Sequence, residues 1–138
     1  MTTIDAPATT VAVELTDLVD TYLGAWAEED PARRAEVIRG CWTETGCIVD
    51  PPLDGYGHAG IDALFAAFQN HYPGCAFVRT SEVDAHHDVF RVTWELRAGD
   101  GTTVLSGMDV GNLSPDGRIA RITGFFGDVH HVGDRGGR

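Results

Sequence analysis

Residues Thr103–Gly127, TVLSGMDVGNLSPDGRIARITGFFG, decide the fold, because they read as two strands joined by a tight turn. Ser114-Pro115-Asp116-Gly117 has proline at the second turn position and glycine at the fourth, as a type I turn prefers, with apolar alternation on both sides. With all four residues in the turn, Leu113 pairs with Arg118. One hairpin face then holds Leu105, Gly107, Asp109, Gly111, Ala120, Ile122, Gly124 and Phe126. Asp109 is the only charge on that face. A carboxylate among apolar side chains and glycines is costly unless partnered or protonated, which marks it as a candidate functional group. A one-residue slip at the preceding turn would instead face Asp109 toward Arg91 in an exposed ion pair. The inward register is favoured because it gathers Arg91, Thr93, Glu95, Arg97, Ser106, Asn112, Arg121 and Thr123 on the outer face.

Working outward, a period of two runs through 75–83, 87–97, 103–113 and 118–127, predicting a four-stranded antiparallel meander with turns at Asp84-Ala85, Ala98–Gly101 and Ser114–Gly117. Upstream the period is helical. Leu15, Leu18, Val19, Tyr22, Leu23 and Trp26 form one stripe; Asp30-Pro31 starts a second helix that runs to about Trp42 and buries Val37, Ile38 and Cys41; a third spans about His58–His71. Between the second and third lies a short strand, Cys47-Ile48-Val49, which must stop at Asp50 because two prolines follow. Helices first and sheet afterwards predict an α+β domain, with a curved antiparallel sheet covered on one face by three helices of the N-terminal half. Phe90, Val92, Trp94 and Leu96 face those helices. The expected organisation is one domain over 13–128, flanked by flexible segments 1–12 and 129–138.

The 138 residues carry a formal charge of −11, and all ten basic residues are arginine. That charge opposes nucleic acid and anionic membranes, and the absence of lysine removes Schiff-base and P-loop chemistry. No apolar run reaches spanning length and the N-terminus lacks signal-peptide character, so a cytoplasmic protein is expected. Cys41, Cys47 and Cys75 read as reduced thiols. His86 and His87, adjacent near a strand, should point to opposite faces, and no histidine pair has ligand spacing, so neither a metal nor any other cofactor is expected. The outer sheet face mixes Val104, Met108, Val110, Ile119 and Phe125 with polar residues, more apolar surface than a monomer usually exposes, and predicts a two-fold homodimer.

Three inward groups are candidates for chemistry: Tyr22 in the first helix, Asp50 at a strand end and Asp109. A phenol and two carboxylates in one apolar cavity suit proton transfer, because desolvation splits carboxylates into a neutral donor and an ionised base. Tyr22 can equally be read as a core tyrosine, and Asp50 as a turn initiator.

The order of elements and the segments TYLGAWAEED, IVDPP, GHAGIDALFAAF, VFRVTWEL and SPDGRIARITGFFG resemble the nuclear transport factor 2-like superfamily over residues 12–127, and within it the SnoaL-like polyketide cyclases. At three positions the chain is similar to the steroid Δ5-3-ketoisomerases: a tyrosine eight residues before an aspartate (Tyr22, Asp30), an aspartate directly before proline (Asp50), and an aspartate seventeen residues before the second aromatic of the last strand (Asp109, Phe126). The resemblance implies a cone-shaped barrel around an apolar pocket, for which Trp26, Trp42, Phe65, Phe68, Phe90, Val92, Trp94 and Phe126 are the candidate walls. It also implies Asp50 as general base, and Tyr22 and a protonated Asp109 as donors to a dienolate oxygen, acting on a hydrophobic carbonyl compound. A non-catalytic ligand-binding or assembly module of the same fold is the alternative. Gly124 stands where limonene-epoxide-hydrolase-like members carry an acid, so epoxide hydrolysis by that arrangement is not expected.

Overall fold

The helical and two-residue periods become three helices and seven strands in a computed structural model that describes residues 9–133, with side chains from residue 14. In chain order these are α1 (Thr9–Ala25), α2 (Pro31–Cys41), β1 (Trp42–Val49), β2 (Asp54–Tyr56), α3 (Gly57–His71), β3 (Ala76–Arg79), β4 (Asp84–His86), β5 (Val89–Arg97), β6 (Thr103–Leu113) and β7 (Ile119–Phe126). Helix α1 starts ahead of the boundary expected near residue 12. The expectations for residues 1–8 and 134–138 lie outside the described residues. Among the described residues no helix is long and apolar enough to cross a membrane.

The α+β class holds, with a larger and mixed sheet. Its order is β2-β1-β7-β6-β5-β3, with β4 also on β5. Strand β1 runs parallel to β7, with Ile48 opposite Ile122 and Val49 opposite Thr123; every other pairing is antiparallel. Of β1 only Cys47–Val49 was expected, outside the meander, because WTETG carries no alternation, and β2 was not expected because Asp54–Tyr56 is too short to show a period. The strands end in free edges rather than a hydrogen-bonded barrel, and the helices pack on one face of the sheet. Val19, Tyr22, Ile38, Ile61 and Phe65 from that layer meet Phe90, Val92, Leu96 and Ile122 from the sheet.

Two turns differ from expectation. The β4–β5 turn falls at His87-Asp88, with His86 paired to Val89 and His87 in the left-handed region (φ 52°). The two histidine rings therefore do not point to opposite faces; their Nδ1 atoms lie 3.1 Å apart at the hairpin tip. In the β6–β7 hairpin Gly117 takes φ 87°, and Ser114 rather than Leu113 bonds to Arg118. Leu113 pairs with Ile119, and a bulge at Ala120 moves the pairing on by one more residue, with Asn112 opposite Arg121, so that the residues from Arg121 onward keep their expected faces. Ile119 is thereby fully buried, correcting its expected outward position, and Asp109 stands opposite Gly124.

Buried Arg34 ties the helical layer together, with Nε donating to Asp62 on α3 (2.7 Å) and Nη1 to the Glu28 carbonyl (3.0 Å). The Gln69 amide donates to the Trp26 and Glu28 carbonyls, which fixes the end of α1 where Trp26 enters the cavity wall.

Candidate functional site

Sheet register brings the three candidates together. Asp109 sits mid-strand between Val92 and Gly124, and is 5% exposed. Because Val49 is opposite Thr123 in the parallel β1–β7 pair, the next residue, Asp50, arrives beside Gly124. A Cβ added to Gly124 would lie 3.0 Å from the Asp50 Cβ and 3.2 Å from Asp109 Oδ1, so a glycine is what lets both carboxylates face one space. Tyr22 descends from α1 and donates to Asp109 Oδ2 at 2.8 Å. Arg91 pairs with Asp84 at 2.7 Å instead, so the slipped register is not adopted.

Asp109 has a second donor that the sequence did not reveal: Trp94 Nε1, 3.1 Å from Oδ1. Trp94 reads as apolar wall, but a buried indole N–H needs a partner, and Asp109 on the neighbouring strand supplies one. Asp50 is half-buried. Its Oδ1 accepts the Leu53 N–H (3.1 Å) and its own N–H donates to the Leu53 carbonyl (2.9 Å), closing the turn Asp50-Pro51-Pro52-Leu53. Asp50 therefore both begins a turn and faces the cavity.

The cavity, of about 90 Å³, is lined by Tyr22, Asp50 and Asp109 at its polar end, with apolar walls that include Trp26, Phe68, Phe77, Trp94, Leu105 and Ile122. Of the expected wall residues, Trp26, Phe68, Trp94 and Phe126 line it. Trp42, Phe65, Phe90 and Val92 do not, because each is consumed in packing: Trp42 meets the Tyr22 ring edge-on (5.7 Å between centroids), Phe65 lies against Trp26 (4.3 Å), Phe90 covers Gly111, and Val92 is fully buried. Phe77, whose ring meets those of Trp26, Phe68 and Trp94, closes the apolar end. Pro52, Leu53 and Phe126 frame the mouth.

Burial pushes the Asp109 carboxyl up to about 6, against the two hydrogen bonds it accepts and with help from the Asp50 charge. Asp50 is raised by partial desolvation, opposed by the Leu53 N–H. Tyr22 is raised well above the ordinary phenol, first by burial and then by Asp109, so it keeps its proton at neutral pH. Because the folded state holds the Asp109 proton more tightly than the unfolded chain, this group stabilises the fold below its ordinary value of 3.8 and loses that contribution as pH rises to about 6. Asp109→Asn removes the titration. The stability of the variant relative to wild type should rise from about pH 4 to about pH 6 and then level off. Urea midpoints of both proteins across that range check this, and a difference constant with pH would refute it.

Among the described residues, no three or more His, Cys, Asp or Glu side chains are grouped to hold a metal ion. The SnoaL-like domain matches residues 19–122. The chain belongs to the SnoaL-like family. A structure of a SnoaL-like family protein from Agrobacterium tumefaciens, named as a candidate isomerase, is 36% identical with a TM-score of 0.79, covering 84% of this chain and 99% of that one. A candidate SnoaL-like polyketide cyclase from Jannaschia sp. CCS1 (16% identity, TM-score 0.70, 88% and 91% covered) shares the fold. So does a nuclear transport factor 2-like protein of unknown function from Exiguobacterium (15%, 0.65, 81% and 99%). No protein of curated function matches this SnoaL-like chain.

Proposed function

We propose that this SnoaL-like protein enolises a hydrophobic carbonyl compound as an isomerase or cyclase. The observation that carries the reading is the convergence of Asp50, Asp109 and Tyr22 on one end of an apolar cavity. Asp50 takes the proton from the carbon beside the carbonyl, the electron pair moves onto the oxygen, and Tyr22 with neutral Asp109 holds the resulting enolate. Asp50 then returns the proton at another carbon, so the net change is a shifted double bond without oxidant or reductant. The name of the Agrobacterium relative supports the isomerase class.

A cavity of about 90 Å³ is smaller than the roughly 150 Å³ void that accepts benzene, so only the reacting end of a ring substrate is enclosed. The remainder extends through the mouth, where Leu53 and Phe126 are 37% and 40% exposed. A β,γ-unsaturated cyclic ketone is the diagnostic probe: conversion to the conjugated enone, followed by its ultraviolet absorbance, tests the proposal, and absence of conversion counts against it.

One observation favours a non-catalytic ligand-binding module. Both Tyr22 and Trp94 donate to Asp109, which leaves a ligand neither proton.

For assembly, the outer face with Phe125 (54% exposed), Val104 (47%), Met108 and Val110 is proposed to pair across a two-fold axis. Sedimentation should return a dimer at micromolar concentration; a monomer there would exclude it.

A further inference from the structure

We propose that Trp94 is a positioning residue that sets the direction of hydrogen bonding at the site: by donating to Oδ1 of Asp109 it confines any proton on that carboxyl to Oδ2, from which the acid donates to the Tyr22 oxygen and turns Tyr22's own proton toward a ligand oxygen. This deepens the enolisation reading and rests on it.

The chemistry follows from a donor count. An indole N–H donates and cannot accept, so an Oδ1 engaged by Trp94 has no use for a proton facing the same partner. Oδ2 faces a phenol, which can do both. With Asp109 ionised, Tyr22 and Trp94 each meet one of its two oxygens and neither is left for a ligand. One added proton gives the group one donor more than Asp109 can absorb, and the phenol is the member able to aim it into the cavity. Tyr22 then contacts the ligand while Asp109 acts behind it.

Trp94 is held for this task. Its ring stands edge-on to Phe77 (5.0 Å) and Phe126 (6.0 Å), and it lies over Gly107, where a Cβ would overlap it. The titratable groups facing Asp109 are Tyr22 from α1 and Asp50 from the end of β1; β5 presents Trp94 and β7 presents Gly124, neither of which titrates. A ligand oxygen that needs the Tyr22 proton must therefore bind with uptake of one proton at Asp109.

Two measurements test this. In the ligand-free protein, the Trp94 indole N–H resonance should move with pH around the Asp109 midpoint of about 6, and stay still in Asp109→Asn. Cyclohex-2-enone, an acceptor with no proton of its own, should bind wild type with an affinity that falls about tenfold per pH unit above that midpoint. In Trp94→Phe, loss of a donor that favours the carboxylate should move the binding midpoint to higher pH, a change that a purely structural role would not produce. A Trp94 resonance that is flat from about pH 5 to 8, or a midpoint unchanged in Trp94→Phe, overturns the proposal. If Trp94→Phe does not fold, the wild-type resonance decides alone. If the enone fails to bind at any pH, the enolisation reading falls, while the coupling of Trp94 to Asp109 is still judged by the resonance.

Discussion

Asp50→Asn should lower turnover of a β,γ-unsaturated ketone by at least about 10²-fold, the loss typical of a removed general base. The substitution is clean on structural grounds. Asp50 accepts the Leu53 N–H through one carboxylate oxygen, and the asparagine carbonyl can accept the same bond, so the turn and the cavity mouth persist. What disappears is the basic lone pair at the second oxygen, which in wild type faces the space beside Gly124. The loss should therefore fall on kcat rather than on KM. A phenolate mimic of the enolate addresses Tyr22, backed by Asp109, and leaves the base idle, so its affinity should survive Asp50→Asn and weaken in Tyr22→Phe and in Asp109→Leu. Equal phenolate binding by all three variants, with no turnover by wild type, would instead favour the ligand-binding module.

The inward face of the β6–β7 hairpin was legible because alternation alone places Asp109 with Gly107, Gly111 and Gly124. The identity of its neighbours was not. Gly117 at positive φ and the bulge at Ala120 slide the pairing so that Asp109 meets Gly124, and neither is visible in a pattern of apolar and polar residues. Asp50 could be placed at a strand end by its prolines, but its arrival beside Gly124 depends on β1 pairing parallel to β7, a contact between segments some seventy residues apart. Trp94 read correctly as an inward aromatic. Its indole N–H takes on meaning only once β5 and β6 are in register, with Trp94 opposite Gly107 two residues from Asp109. The aromatic walls show the same limit: periodicity puts Phe65, Phe90 and Val92 inside, whereas depth within the core decides that they pack and that Phe77 lines the cavity.

Gly107→Ala should destabilise the protein by about 3 kcal/mol or more, at the upper end of what overpacking produces. The glycines flanking Asp109 on β6 are there because something else fills their side-chain space. At Gly107 a Cβ would overlap the Phe125 carbonyl oxygen and the Trp94 indole; at Gly111 it would overlap the Phe90 ring. The carbonyl belongs to the paired strand and cannot withdraw without opening the β6–β7 ladder, and Trp94 is wedged between Phe77 and Phe126. Relief must come from moving the indole, which also strips Asp109 of one of its two donors. Urea midpoints measure the stability loss, and Gly40→Ala is the control, since Gly40 lies within α2 with nothing within 4 Å of the added Cβ. There the same methyl group should stabilise by about 0.5–1 kcal/mol through helix propensity. If Gly107→Ala is as stable as wild type, the Trp94 ring does not lie on β6, and its hydrogen bond to Asp109 is lost with it.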